Sequence, residues 1–466
     1  MSPATPIAHA TDRPWMSGLL IGCCALGCVV SVLAGIAPLI VWGSLAVCGV
    51  LIWCFMSPVW GLCLMTALSF LFLRSTEYIT WQEVVYAVLC ATVISGWVAR
   101  RLAAGQSFAV TWIDRVLIWF LLIGVLSIVP AVLYGNALLK WFREFIPFLM
   151  FVPYLVVVTT VRRTRQVRWL CLSFVLLGLI MGVLNLIEYR TNVVNARYVW
   201  ELLAGRRALN EPLFFTSLTI LMTLVAFEGF RGWRTVGYFT LILFFIVALA
   251  VTFSRGYWVA TGVALLVAFP QIPARRRRAA IGYLVGLTLA GLGLALLLAG
   301  PIVVEIASVV AERFGSITGA TLDISIKQRL AESTAVLRLI AANPVVGYGL
   351  GFLFSFYSLI PAELPTFYVH NVYLYIWLKL GVFGLATFLV FYLSVLVHGY
   401  RAYRSLDHPF LKPLVLGIVS VMIAMLPLSL SSPQFIQKDS ILFLSLGMGI
   451  VELAYRDTRA VRVLES

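Results

Sequence analysis

The sequence predicts an all-α fold, a polytopic transmembrane helical bundle of about 12–14 spans with one long, partly helical loop. Composition is the first observation, because 62% of the 466 residues are hydrophobic and 11% are charged, against roughly 25% charged in soluble domains. The second is a succession of apolar runs of about 20 residues, the length with which a helix crosses a bilayer. These runs are continuous, whereas the strands of a transmembrane barrel alternate apolar and polar residues.

The apolar runs divide the chain into three parts. Residues 1–304 carry transmembrane helices with a short polar segment near 188–211, residues 305–370 form a long polar loop, and residues 371–466 carry the C-terminal helices. Eight cysteines fall inside the apolar runs, so we expect neither disulfides nor a zinc site. The predicted spans lie at about 17–34, 36–56, 58–73, 83–99, 115–134, 145–160, 168–187, 212–228, 235–253, 257–271, 280–304, 371–397, 412–430 and 439–455.

Basic residues concentrate in alternate loops, and this sets the predicted orientation of the bundle. By the positive-inside tendency these loops are cytoplasmic, and both termini then lie in the cytoplasm. The bias explains much of the net charge of +15, so we expect no nucleic-acid partner. The basic groups are Arg100 with Arg101, Arg162 to Arg165, Arg231 with Arg234, Arg275 to Arg278, Arg401 with Arg404, and the tail from Arg456.

The long loop 305–370, on the opposite side, has predicted structure of its own. A helix capped by Asp323 or Ser325 runs to Ala342, where Asn343-Pro344 ends it. Its apolar stripe predicts the face that packs, and Arg329 lies away from that stripe. The stripe consists of Ile326, Leu330, Leu337 and Ile340.

A glycine-rich segment, Gly347-Tyr348-Gly349-Leu350-Gly351, follows this helix. A phosphate-binding nucleotide loop would have a strand before it and Gly-Lys-Ser after it, and neither is present. We therefore expect a tight bend or a close-packing contact against the membrane face.

Of the four histidines, only His370 lies on the side of the long loop, at its junction with a span. A neutral imidazole is the side chain best suited to accept a proton near neutral pH, so His370 is the candidate general base. The competing interpretation is an interfacial histidine without a catalytic role.

Arginines on this same side run against the positive-inside tendency. Arg255 departs most clearly from this tendency, because it lies between two predicted spans with almost no loop. Any one of them could snorkel to the interface, but several together indicate an anionic ligand, since a guanidinium donates two parallel hydrogen bonds to phosphate. These arginines are Arg190, Arg197, Arg206, Arg207, Arg255, Arg313, Arg329 and Arg338.

Several common catalytic motifs are missing from the sequence. It contains no Asp-x-Asp, His-Glu-x-x-His, Gly-x-Ser-x-Gly or Walker motif. We therefore expect no metal and no cofactor, with arginines rather than magnesium stabilising any phosphate leaving group.

Four motifs, in order along roughly residues 200–400, resemble the signature of the O-antigen ligase and O-antigen polymerase superfamily. The sequence departs from that family at Lys379, where members often have an acidic residue that could orient the histidine. The motifs are Arg207 to Asn210, then Ser254-Arg255-Gly256, then Arg329-Leu330 followed by Asn343-Pro344-x-x-Gly347-x-Gly349-x-Gly351, and finally His370-Asn371-x-Tyr373-Leu374 continuing to Gly381-x-x-Gly384-Leu385.

The resemblance implies a metal-independent glycosyltransferase of the bacterial inner membrane, multi-pass, surrounded by membrane lipid and with its active site facing the periplasm. It implies a glycan on undecaprenyl pyrophosphate as donor and, for a ligase, lipid A-core oligosaccharide as acceptor. With the residues, it predicts His370 as base, Arg255 and Arg329 on the departing pyrophosphate, and inversion at the anomeric carbon. The further predicted substrate contacts are Arg206, Arg207, Asn210, Arg338 and Asn371.

Other functions stay open at the level of sequence. An O-antigen or exopolysaccharide polymerase would use the same donor with another lipid-linked repeat as acceptor, and transfer to a protein is a third variant. A membrane transporter would place ionisable residues in mid-membrane along a path, whereas Lys140, Arg143, Glu144 and Lys379 fall near predicted span ends. A scaffold subunit without catalysis is the last alternative.

Overall fold

The structure is a computed structural model, and the residues that it describes are almost all helical. They contain no strand beyond a single antiparallel bridge between Phe354 and Thr366, which confirms the predicted all-α fold class. The described residues are 38–69, 80–195, 211–228, 233–252, 254–278, 324–356 and 366–465, with a few single positions between 281 and 289.

Most of the described helices follow one another within a few residues. A 3-10 turn, Phe269–Gln271, extends the eleventh of them. In chain order the described helices are α1 (Pro38–Met56), α2 (Pro58–Leu68), α3 (Trp81–Ala103), α4 (Trp112–Leu126), α5 (Ile128–Leu133), α6 (Leu138–Leu149), α7 (Val152–Thr160), α8 (Thr164–Asn195), α9 (Glu211–Glu228), α10 (Trp233–Val251), α11 (Arg255–Ala268), α12 (Ile324–Ala342), α13 (Val372–Ser405), α14 (Leu411–Leu428) and α15 (Lys438–Glu465).

Helix starts obey local sequence rules even in this apolar chain. The Thr80 hydroxyl accepts from the backbone N–H of Glu83 at 3.3 Å, and the Glu83 carboxylate accepts from the Thr80 N–H at 3.2 Å. This reciprocal capping box satisfies two donors that a helix N-terminus leaves unpaired. Thr111 and Asp114 form the same arrangement at the start of α4.

Six described helical segments are long and apolar enough to span a membrane. They include α4 with α5 and α6 with α7, each pair forming one bilayer-length segment with a short break. The described helix Pro58–Leu68 lies within the predicted span at 58–73. Residues 70–73, the predicted span at 17–34 and most of 280–304 lie outside the described residues. The six segments are Trp81–Ala103, Trp112–Leu133, Leu138–Thr160, Thr164–Glu188, Val372–Ser405 and Leu411–Leu428.

Helix α13 is central to the bundle, where it packs against α4, α14 and α15. Aromatic rings interlock in this core, as between Phe120 and Phe148, whose ring centroids lie 5.2 Å apart in a T-shaped arrangement. The outer surface is also apolar: Trp119, Leu133 and Leu172 are 59, 79 and 65% exposed. A surface of this kind suits lipid rather than water.

The same helix defines two opposite ends of the bundle. It begins directly after His370 and carries His398 in its last turns, roughly 40 Å further along at 1.5 Å per residue. Nδ1 of His398 lies 2.8 Å from Oε2 of Glu452 in α15, and Nε of Arg456 donates to the other oxygen of Glu452 at 3.2 Å. We call these the His370 end and the Arg456 end.

Candidate active site

His370 and Glu332 form a hydrogen-bonded pair at the His370 end. Nδ1 of His370 lies 2.6 Å from Oε2 of Glu332, and the His370 backbone N–H donates to Oε1 at 2.6 Å. With Glu332 as the acceptor at Nδ1, a neutral imidazole carries its proton on Nδ1 and keeps a lone pair on Nε2. The imidazole is 31% exposed and Glu332 is 2% exposed, so the pair offers one basic nitrogen at an accessible surface.

The imidazole is held on a second side by an aromatic ring. Tyr368 lies edge-to-face against His370, with ring centroids 4.9 Å apart and an interplanar angle of 89°. The Tyr368 backbone N–H donates to the Thr366 hydroxyl at 3.0 Å. Among the described residues none hydrogen-bonds Nε2, so the ring is fixed through Nδ1 while its other nitrogen is left for a ligand.

Glu332 reaches the histidine because α12 packs with a different face from the one predicted. Helix bounds near Ala342 are confirmed, but Glu332, Val336 and Ile340 form the buried face, at 2, 0 and 3% exposure. A buried carboxylate requires hydrogen-bond donors, which His370 supplies, whereas apolar side chains outside the core can face lipid. The prediction is therefore wrong for three members of the stripe, which are 44, 67 and 48% exposed: Ile326, Leu330 and Leu337.

The two arginines predicted on this helix point in different directions. Arg329 lies on the partly buried side, one turn before Glu332 and about 4.5 Å away along the axis. Arg338 is exposed and follows Arg329 by nine residues, which places it about 180° around the helix. The structure therefore brings Arg329, but not Arg338, to the side of the helix that carries the pair.

Arg255 begins α11 at the same end of the bundle. A Cβ placed on the next residue, Gly256, would lie 3.0 Å from Cδ1 of Leu428. The residue after Leu428, Ser429, accepts a hydrogen bond from the backbone N–H of Val372 at 3.0 Å. Since Val372 follows the histidine by two positions, these contacts connect the start of α11 to the loop that carries the imidazole.

Asn371 has a structural role in this arrangement. Its Oδ1 accepts from the backbone N–H groups of Tyr373 and Leu374, at 3.0 and 3.2 Å, and so caps α13. The cap fixes the helix start directly after the histidine, while a contact of the Asn371 amide with substrate stays a prediction. The other predicted contacts Arg206, Arg207 and Asn210 lie outside the described residues.

The glycine-rich segment makes close packing contacts, as predicted, but inside the bundle rather than against a membrane face. Gly347, Gly349 and Gly351 have φ values of 75, 78 and 79°, a conformation that side chains disfavour. A Cβ on Gly349 would lie 2.4 Å from the backbone nitrogen of Ala131, and one on Gly351 2.8 Å from that of Trp141. Glycine is required here both for conformation and for room.

This segment docks into a kink of α13 at Gly381, whose φ is 68°. The carbonyls of Leu378 and Lys379 accept from the backbone N–H groups of Tyr348 and Gly349, at 2.9 and 3.0 Å. A kink frees carbonyls from the helical ladder, and buried carbonyls need donors. The turn and the broken helix therefore satisfy each other's hydrogen bonds.

The Tyr348 hydroxyl ties the same segment to α12, where it donates to the carbonyl of Leu339 at 3.0 Å. Burial, with a smaller contribution from the nearby Tyr134 hydroxyl, raises the pKa of Tyr348. A phenol is protonated at neutral pH even at its ordinary pKa, so the hydroxyl keeps this hydrogen bond there. The bond helps to hold α12, and hence Glu332, in place against α13.

A buried ion pair fixes the far side of the glycine segment. Nζ of Lys379 lies 3.1 Å from the Glu144 carboxylate and donates to the carbonyl of Phe352 at 2.6 Å, while Glu144 accepts from the backbone N–H of Gly351 at 2.6 Å. The two side chains are 0 and 6% exposed. The family often has an acidic residue at the position of Lys379. In this chain Lys379 holds the glycine segment, and the acid that hydrogen-bonds His370 is Glu332.

Sequence reasoning missed the roles of Glu332, Glu144 and Lys379. The available signal was the presence of Glu144 and Lys379 as two opposite charges within apolar runs, since such charges are rarely buried unless paired. For Glu332 no local signal exists, because its partner lies 38 residues away. In the ranges that the structure describes, no group of three or more His, Cys, Asp or Glu side chains could hold a metal ion.

The fold and site together define a multi-pass membrane protein with an oriented histidine and arginines at one end. Residues 239–389 match the family model described as O-antigen ligase, a stretch that includes Arg255, α12, the glycine segment and His370. The match supports the O-antigen ligase family and confirms the resemblance seen in the motifs. The family implies a glycosyltransferase-type enzyme. A comparison with curated proteins gave no match.

Proposed function

We propose that the protein is an O-antigen ligase that transfers a glycan from undecaprenyl pyrophosphate to lipid A-core oligosaccharide at the periplasmic face of the inner membrane. The observation that carries this proposal is the Glu332–His370 pair, in which both carboxylate oxygens accept from the histidine. Glycosyl transfer needs such a base, because an acceptor hydroxyl is a weak nucleophile until its proton is removed.

In the proposed step, Nε2 of His370 takes the proton of the acceptor hydroxyl as that oxygen bonds to the anomeric carbon. The bond from this carbon to the pyrophosphate oxygen breaks, and the lipid pyrophosphate leaves with the electron pair. Glu332 stabilises the imidazolium that forms. Direct displacement inverts the anomeric centre, and a positioned base contributes roughly 10²–10⁴-fold to the rate.

The departing pyrophosphate is the second requirement, and Arg255 and Arg329 are proposed to bind it. Both are partly buried. The contacts above connect the start of α11, where Arg255 lies, to the histidine loop, and Arg329 lies one turn before Glu332 on α12. Guanidinium groups match phosphate oxygens with paired hydrogen bonds and supply the charge without a metal. Further proposed contacts are Arg206, Arg207, Asn210 and the amide of Asn371, whereas Arg338, which is exposed on the other side of α12, is left out of the proposed site.

The proposed sidedness follows from the basic loops. Arg101, Arg162 and Arg456, from three separate predicted cytoplasmic groups, line one pocket at the Arg456 end. Clustering of such residues favours a cytoplasmic location for this end. The His370 end then faces the periplasm, and the C-terminus, which follows α15, lies in the cytoplasm with the N-terminus proposed on the same side.

The alternative functions, a polymerase and a transporter, require different features of the structure. An O-antigen or exopolysaccharide polymerase would use the same donor and base, and would differ only in its acceptor. A transporter would need ionisable groups along an open path. Glu144 and Lys379 are instead enclosed and paired with each other, which favours a structural role for these charges.

A reconstituted transfer assay tests the proposal. Purified protein is mixed with a glycan on undecaprenyl pyrophosphate, with lipid A-core present or absent and with EDTA throughout. His370→Ala removes the proposed base. His398→Gln is the matched control, because His398 also contacts a glutamate through Nδ1 but lies at the Arg456 end.

The expected result is product on lipid A-core alone, abolished by His370→Ala and retained by His398→Gln. A ladder of lengthened glycan without lipid A-core would instead identify a polymerase. Full activity in His370→Ala would exclude this histidine as the base, and transfer that appears only when excess Mg²⁺ replaces the EDTA would overturn the metal-independent mechanism.

A further inference from the structure

A pocket of about 540 Å³ opens at the Arg456 end, remote from the site described above. It lies beside the C-terminal ends of α3 and α7 and the C-terminal half of α15. Its lining combines three arginines, Arg101, Arg162 and Arg456, with apolar side chains that include Val110 and Val161.

One of the three arginines is already neutralised. Arg456 donates through Nη2 to the Asp114 carboxylate at 2.8 Å and through Nε to Glu452 at 3.2 Å. The Tyr154 hydroxyl donates to Asp114 at 3.0 Å and completes the network. Arg456 is thus a fixed wall of the pocket rather than a source of excess charge.

The other two arginines carry positive charge without an ion-pair partner among the described residues. Arg101 is 9% exposed, and its guanidinium donates to neutral acceptors, the Gln106 amide oxygen at 2.7 Å and the Ser107 carbonyl. Its Nε is buried and has no hydrogen-bond partner within the described part of the chain. Arg162 is exposed at the rim. A buried guanidinium with a free donor beside a pocket is suited to binding an anion.

The remaining charged group of the lining is Asp457. Arg101 and Arg162 are the lining cations outside the Arg456 network, and the oxygens of one phosphate can accept hydrogen bonds from both guanidinium groups. A carboxylate also accepts hydrogen bonds from hydroxyl groups. The neighbouring surface is apolar, since Leu102 and Val110 are 65 and 55% exposed.

We propose that this pocket binds the headgroup of a glycerol-headed anionic phospholipid, such as phosphatidylglycerol. The lipid phosphate sits between Arg101 and Arg162, and the headgroup hydroxyls donate to Asp457. The acyl chains run along the exposed apolar faces beside Leu102 and Val110. Basic pockets between transmembrane helices are a common place for anionic lipid headgroups.

Native mass spectrometry of the full-length protein in a neutral detergent tests the proposal. Phosphatidylglycerol and phosphatidylcholine with identical acyl chains are titrated in parallel, and inorganic phosphate is added in excess as a competitor. Arg162→Gln and Arg101→Gln each remove one charge from the pocket. Arg275→Gln is the matched control, an exposed arginine of a basic group at the same end of the bundle.

The expected result is one tightly retained phosphatidylglycerol that phosphate does not displace, bound about fivefold more weakly by Arg162→Gln and by Arg101→Gln but not by Arg275→Gln. Arg162 is exposed, so its variant keeps the fold and decides the test even if the Arg101 variant unfolds. Equal retention of phosphatidylcholine, equal weakening by Arg275→Gln, or no retained lipid would overturn the proposal. Displacement by inorganic phosphate would make the pocket a site for soluble anions.

Discussion

The Glu144–Lys379 pair offers a sharp test of how the site is supported. The pair is enclosed, with 6 and 0% exposure, and each partner also bonds the glycine segment, through Gly351 and Phe352. Removing one member of a buried ion pair leaves the other charge unpaired and costs about 3–5 kcal/mol of unfolding free energy. We therefore expect Lys379→Met to destabilise the protein by about that amount.

The double variant distinguishes pairing from simple loss of packing. Glu144→Gln keeps an oxygen for the Gly351 N–H but removes the charge, so with Lys379→Met no buried charge is left unpaired. The double variant should lose less stability than the sum of the single variants, by about 2 kcal/mol or more. Denaturation in detergent micelles measures all three.

Lys412→Met is the control for this series, because its partner Asp407 is fully exposed and lies 3.7 Å away. No measurable change is expected there. Additive effects of Glu144→Gln and Lys379→Met, or single variants as stable as the parent, would show that the buried pair does not hold the glycine segment in place.

Three further predictions concern the positions around the pair. Gly349→Ala should lower the free energy of unfolding by more than about 3 kcal/mol, because φ is 78° and the new Cβ would meet the Ala131 backbone. Gly105→Ala is the control in the same unfolding assay and should cost about 1 kcal/mol, because Gly105 has a φ of 59° but lies in open space. Asn371→Asp should keep stability, since an aspartate oxygen also caps α13, but should lower transfer about tenfold because the proposed amide contact with substrate is lost, and unchanged transfer would remove Asn371 from the substrate contacts. Arg255→Lys should weaken donor binding about tenfold with an unchanged melting temperature, because lysine cannot donate two parallel hydrogen bonds, and unchanged binding would remove Arg255 from the pyrophosphate site.

Much of the fold could be predicted from sequence because lipid imposes a simple rule on length and composition. Runs of about 20 apolar residues must form helices in a bilayer, since nothing else satisfies their backbone groups. The helix ending at Ala342 and the packed glycines were also predictable, because proline and glycine act locally. His370 could be singled out by its place at a junction of loop and span.

The partners of these residues could not be predicted, because they depend on packing between distant segments. Glu332 and His370 are 38 residues apart, and Glu144 and Lys379 are 235 apart. The apolar stripe of α12 also predicted the wrong face. In water Leu330 would be covered by protein, but beside a membrane it can stay exposed while a paired Glu332 turns inward.

The central claim is that Glu332 holds His370 as a base, and Glu332→Gln tests it most directly. A glutamine has one acceptor oxygen, whereas His370 offers two donors, its backbone N–H and Nδ1–H. The glutamine side chain can lie in two orientations: in the first case its NH₂ group faces the backbone N–H, donor against donor, and in the second case it donates to Nδ1. In the second case the ring proton moves to Nε2, which can no longer accept a proton.

The measurement is single-turnover glycan transfer together with donor affinity in Glu332→Gln, with Glu83→Gln as a control that removes another partly buried carboxylate, the partner of Lys438. The account predicts a transfer rate about 10²–10⁴-fold lower with donor affinity unchanged, and a control like the parent. A Glu332→Gln variant that transfers glycan at the parent rate would contradict the account.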